Sequence, residues 1–227
     1  MYNPLEPKRN RKDTIMGLDM YVTIRHKDTQ SKLETYEAWE QKYTCEEFER
    51  LTPEQQDDYW KSKPEYDAEM YGNELMYWRK ANQIHNWFVK NCQRGVDDCE
   101  RYVITVSDLN KLKELCEKIL TMTEVKQELK PTYPNGWTSE PVHVMQDVRL
   151  LTEEGMKFAS EHLPSRSGFF FGNTDYDDNY VWDLENTVEQ IDDAIDSLNC
   201  EYGFALNSDL VTGEYKGDYI IEYCASW

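Results

Sequence analysis

Leu18, Met20, Val22 and Ile24 alternate with Asp19, Tyr21, Thr23 and Arg25. That two-residue period predicts a strand with one buried face, beginning near Met16. From Glu74 to Cys92 the period lengthens. At 100° per residue Glu74, Trp78, Ala81, Asn82, His85, Phe88, Val89 and Cys92 share one side, with Arg79, Gln83, Asn86 and Lys90 opposite, towards solvent. The spacing predicts a helix over 74–92, ended at Arg94-Gly95, where glycine turns left-handed cheaply. Residues 101–106 are rich in β-branched side chains and read as a strand. Ser107 then caps a helix with the apolar stripe Leu109, Leu112, Leu115, Cys116, Ile119 and Leu120.

The remaining elements follow from turn and cap signals. Residues 31–71 are polar and aromatic with helical tendency. Thr44 and Glu47 fit a capping box, and Thr52-Pro53 starts a further helix. Pro131, Pro134, Asn135-Gly136 and Pro141 mark residues 131–149 as a long loop or small hairpin. Thr152 opens a short helix towards Leu163. Three phenylalanines between Gly168 and Gly172 read as a short buried strand. Asp183 can cap a helix with the stripe Leu184, Val188, Ile191, Ile195 and Leu198. Residues 202–206 and 218–227 read as a closing hairpin that leaves Trp227 packed. The sum is an α+β fold: a small, mostly antiparallel sheet with helices packed on one face. It forms a single domain over 16–227 with a helical insertion at about 31–71, preceded by a flexible basic arm at 1–15.

The apolar side of the 74–92 helix carries Glu74, Asn82 and His85, which must hydrogen-bond or line a polar pocket. An unpaired buried polar group costs about 1–3 kcal/mol. Either backbone satisfies His85 and Asn82 in the core, or Trp78, Asn82 and His85 floor a ligand pocket. Asp97 and Asp98 follow in a short acidic turn, and Asp97 or Glu74 could orient His85. Asp175, Asp177 and Asn179 begin like a calcium loop, but Tyr180 stands where that loop needs glycine and Asn186 where it needs glutamate. His85, Cys92 and Cys99 match no common zinc spacing. The candidate ligand-binding residues are Trp78, Arg79, Asn82, His85, Asp97, Asp98 and Tyr176. Arg166 is a further cation for an aromatic pocket. No metal, cofactor or catalytic residue is assigned.

Composition narrows the partners. The 227 residues are 30% charged yet 13% aromatic, with a mean hydropathy of -0.84, which fits a folded, soluble chain. Net charge is -19. The first 15 residues hold four bases against two acids, leaving 21 bases against 42 acids from Met16 onward. Direct nucleic-acid binding depends on Lys and Arg and is not expected of such a body, nor is membrane association. Six cysteines without a regular framework fit reduced thiols in a cytoplasm.

Several blocks together resemble a family of small uncharacterised proteins encoded in bacteriophage and prophage genomes. They are Met16-Gly-Leu-Asp-Met-Tyr21, Tyr77 through Phe88, Val96-Asp-Asp-Cys99, Ser167-Gly-Phe-Phe-Phe-Gly172 and Ala225-Ser-Trp227. The resemblance implies a phage setting, hence the host cytoplasm, and carries no established catalytic residues. The arm, the 31–71 insertion and the 131–149 stretch depart from its usual pattern. Serine-nucleophile, P-loop, dinucleotide-binding and His-Glu-x-x-His motifs are absent. A binding protein is therefore favoured over an enzyme. The expected function is that of a phage accessory, counter-defence protein that binds a small molecule such as a nucleotide-derived signal, or a host protein. A His85-dependent phosphoester hydrolase and an acidic mimic of DNA are the alternatives.

Overall fold

A computed structural model of the chain describes residues 17–133, 140–208 and 215–227. The basic arm lies outside them, as do residues 134–139 of the proline-rich stretch.

The fold is α+β, built on a four-stranded antiparallel sheet with helices packed on one face. Its strands are β1 (Asp19–His26), β2 (Asn73–Arg79), β3 (Tyr102–Ile104) and β6 (Tyr219–Ser226), in the order β2-β1-β6-β3. The alternation that predicts β1 sets its faces. Met20, Val22 and Ile24 point into the core beside Met76 and Trp78 of β2 and Ile221, Tyr223 and Ala225 of β6. Three helices supply the other wall: α4 (Asn82–Asn91), α5 (Val106–Leu120) and α7 (Asp178–Cys200). Ile84 and Phe88, Leu109 and Leu112, and Leu184 and Ile191 join the strand residues in one apolar core. Each such side chain withdrawn from water contributes about 1.5–3 kcal/mol.

The insertion is helical, with α1 (Gln30–Glu40), α2 (Cys45–Glu49), α3 (Pro53–Lys61) and a 3-10 turn at Ala68–Tyr71. The anticipated capping box at Thr44 with Glu47 forms, and the cap at Thr52 is a second such box, closed by Gln55. The insertion has a small core of its own, Leu33, Tyr36 and Met70, and Trp39 stacks on Tyr59 with centroids 4.6 Å apart. A buried ion pair sits where it leaves the sheet. Arg25 Nε and Nη2 donate to Glu222 at 2.6 and 2.9 Å, and Nη1 donates to Thr29 Oγ1 at 3.3 Å. On the far side of the molecule β4 (Thr123–Thr132) and β5 (Val142–Leu151) form a separate antiparallel hairpin, followed by α6 (Glu153–His162).

Several expectations need correction. The helix over 74–92 divides: Glu74–Arg79 belongs to β2, and the helix begins only at Asn82. Residues 202–206 are not a strand, since Phe204–Asn207 forms the short helix α8. The phenylalanine run is loop rather than strand, with Phe170 at φ 61°. Two caps lie upstream of the residues expected. Thr105, not Ser107, caps α5, and Asp177, not Asp183, caps α7. Of residues 131–149, the hairpin alternative holds: 131–132 and 142–149 belong to the paired strands β4 and β5, the first of which already starts at Thr123.

Candidate functional site

The chain leaves β2 through Lys80, held at φ 63°, and turns at once into α4. This helix is enclosed on nearly every side. Asn82, Gln83, His85 and Asn86 are buried with 1, 2, 0 and 8% exposure, so each needs a partner.

The amides find theirs in the segment between α6 and α7 and on α7 itself. Asn82 Nδ2 donates to the carbonyls of Phe171 (3.2 Å) and Asn173 (2.7 Å), and its Oδ1 accepts from the Arg166 backbone N–H at 2.9 Å. Asn86 Nδ2 donates to the Pro164 carbonyl at 2.9 Å. Gln83 Nε2 donates to Asp183 Oδ2 at 2.9 Å. Tyr180 Oη closes the base of the loop by donating to the Leu163 carbonyl at 2.9 Å. Gly172, at φ 92°, lies on Lys80, where a Cβ would come within 3.1 Å of the lysine Cβ. Gln83 and Asn86, which the spacing assigns to solvent, are therefore anchors. Their residue type is the available signal, because a solvated helix face normally carries Lys and Glu, whereas this one carries amides.

His85 forms the centre of a second network. Its Nδ1 lies 2.8 Å from Tyr223 Oη and its Nε2 3.1 Å from Asp97 Oδ2. The carboxylate can only accept, so Nε2 carries the proton and Nδ1 accepts from the tyrosine. Burial pushes the His85 pKa down, the charge of Asp97 opposes this, and Arg166 adds to it. Tyr223 is pushed well up by burial, which keeps it a donor. Asp97 has two further partners: Arg166 Nη2 at 3.0 Å from Oδ2 and Trp227 Nε1 at 3.0 Å from Oδ1. One carboxylate thus holds a neutral imidazole behind it and a guanidinium and an indole in front. Phe171 lies between His85 and Trp227, edge-on to the imidazole at 5.4 Å and to the indole at 6.1 Å.

Towards solvent this frame presents Arg166, Trp227 (49% exposed), Phe169 (79%) and Phe170 (43%). Phe169 and Phe170 lie 4.1 Å apart by centroid. Arg79 and Lys80 border Gly17 near the same loop and make no ion pair among the described residues. The result is a cationic and aromatic surface on an otherwise acidic chain. The arrangement can stack on a planar group and neutralise an anion. With its ring sealed and both nitrogens engaged, His85 is poorly placed to exchange protons with a substrate.

Of the anticipated ligand residues, Asn82, His85 and Asp97 come together beneath this surface. Trp78 does not floor a pocket; it is core, donating to Thr187 Oγ1 at 2.9 Å. Glu74 is exposed on β2 and cannot orient His85. Asp98 stabilises its own turn, accepting from Glu100 N and Tyr102 Oη. Tyr176 is half-buried against Tyr180, with centroids 4.9 Å apart. Tyr223 has no signal in the local pattern, because β6 brings it to His85 from 138 positions away. Two surface hollows lie elsewhere, one of about 230 Å³ beside Tyr43 and Tyr59 and one of about 360 Å³ between α5 and Phe204. Among the described residues no helix is long and apolar enough to cross a membrane.

No protein-family model, curated protein or solved structure matches the chain.

Proposed function

We propose that this is a phage accessory protein of the host cytoplasm that sequesters a small anionic aromatic molecule, of which a nucleotide-derived defence signal is the fitting class. The observation that carries the reading is Asp97, which fixes Arg166 and Trp227 side by side on a chain whose net charge is -19. A base would stack on Trp227 or the Phe169–Phe170 pair, and phosphate would meet Arg166. Binding rather than turnover is supported by the sealing of His85 behind Phe171. The phage setting rests on the resemblance of the Tyr77–Phe88 and Ser167–Gly172 blocks.

Thermal unfolding against nucleotides, cyclic nucleotides and ADP-ribose derivatives tests the reading. A native-state ligand at a hundredfold excess over its Kd stabilises the fold by about 2.7 kcal/mol. One compound class should raise the midpoint in a concentration-dependent way, with the compound recovered intact. Arg166→Ala and Trp227→Ala should each remove the rise. A flat panel, or a rise that both variants keep, overturns the assignment.

A further inference from the structure

The hairpin lies against the body through β5, where Val148 is buried on the side facing α7. Among the described residues its other strand, β4, has no strand neighbour beyond β5; Glu124 through Gln127 are exposed, while Glu128 and Lys130 are half-buried, Lys130 beside Asp178 at 3.0 Å. An open edge offers unpaired backbone donors and acceptors to any matching strand, and lysine or proline commonly discourages that pairing. β4 carries Lys126, Lys130 and Pro131. Yet its charges fall in an order that is its own complement.

When Glu124-Val-Lys-Gln-Glu-Leu-Lys130 is reversed about Gln127, Glu124 meets Lys130, Lys126 meets Glu128 and Val125 meets Leu129. Two antiparallel copies in this register make four opposite-charge pairs and two apolar pairs across the edge. Cross-strand pairs of these kinds are favourable. Other registers lose them. Centring on Glu128 sets Lys126 against Lys130 and Glu128 against its own copy. Centring on Lys126 sets Glu124 against Glu128, and a one-residue slip sets every charge opposite an uncharged residue. Parallel alignment stacks like on like. The outer face adds a second match. Leu129 (60% exposed) is paired with Met145 (58%) on β5, and the copy's Val125 (67%) would extend that row.

We propose that β4 is a self-association edge: two copies of this chain pair it antiparallel about Gln127, giving a continuous four-stranded sheet, β5-β4-β4-β5, with two-fold symmetry. Such a contact closes on itself, so it stops at a dimer.

Sedimentation equilibrium on the full chain at physiological salt tests this. The wild type should give twice the 27.1 kDa chain mass. Lys126→Glu and Glu128→Lys should each halve it, because each sets two like charges opposite one another, while circular dichroism stays native. Mixing the two variants should restore the doubled mass, since the reversed charges now face their complements, and the double variant K126E/E128K should dimerise by itself. A wild type that remains at 27.1 kDa over its soluble range, single variants that stay dimeric, or a mixture that stays monomeric would each overturn the proposal.

Discussion

Half-buried Asp183 and buried His85 sit on neighbouring helices and respond to protons in opposite ways. Burial pushes the Asp183 carboxyl up to about 6, against the Gln83 hydrogen bond, which lowers it. Its ionised form therefore opposes folding above about pH 6, and the penalty fades as pH falls towards the ordinary carboxyl value, where the acid is neutral in both states. His85 is depressed by burial, so the unfolded chain takes up a proton near the ordinary imidazole value, about 6.5, before the folded chain does, and stability falls as pH drops below it. Replacing Asp183 by Asn keeps a polar partner for Gln83 and removes the charge. The substitution should raise stability at about pH 8 by roughly 1–2 kcal/mol, with the gain shrinking steadily below about pH 6. Urea unfolding midpoints across that range check it, and a gain of constant size would mean that repacking, not ionisation, is responsible.

At the scale of elements, α4 works as a clasp for the loop between α6 and α7. Asn82→Ala removes three hydrogen bonds to that loop and should cost about 2–3 kcal/mol. Its mark should be local: the Arg166 amide should exchange with deuterium at least about tenfold faster, while core amides of β1 and β6 slow or quicken only with global stability. Equal acceleration everywhere would mean that Asn82 supports the core and not the loop. Part of this was legible in the sequence. The alternation of β1, the stripes of α5 and α7 and the capping box at Thr44 are local patterns read correctly from spacing. The junction at Lys80 was not, because Trp78 satisfies both periods. It falls four residues before Asn82 and seven before His85, as in a helix, yet also two after Met76, as in a strand whose Tyr77 and Trp78 favour a pleated surface. The phenylalanines misled for a similar reason. Composition favours a strand there, whereas Asn82 and Gly172 fix a loop in which only Phe171 is buried. His85 and Asp97 were legible as a pair twelve positions apart; Tyr223 and Trp227 reach them only through sheet pairing.

At the scale of the whole molecule, a buried ion pair between β1 and β6 also ties the insertion to the sheet, because its guanidinium bonds to the first residues of that segment. The side chains of Arg25 and Glu222 are 1 and 6% exposed, and the same guanidinium reaches Thr29 and Gln30 at the start of α1. Arg25→Ala should cost about 3–5 kcal/mol by stranding a buried carboxylate, whereas Arg25→Met with Glu222→Leu should cost much less, because neither charge is then left alone. Guanidinium unfolding of the two variants measures the difference; equal losses would show that shape, not charge pairing, matters at this junction. The clasp has a different reach. Asn82 and Asn86 grip the carbonyls of Pro164, Phe171 and Asn173 and the N–H of Arg166, and so read the path of the loop and not its side chains. Ser167 and Phe169 are thereby interchangeable in principle, whereas Gly168 has no room for a Cβ beside the Phe171 ring and Phe170 is held at φ 61°. A lineage could adjust what it captures by rewriting those two letters, while the helix, the sheet and the cost of folding them stay as they are.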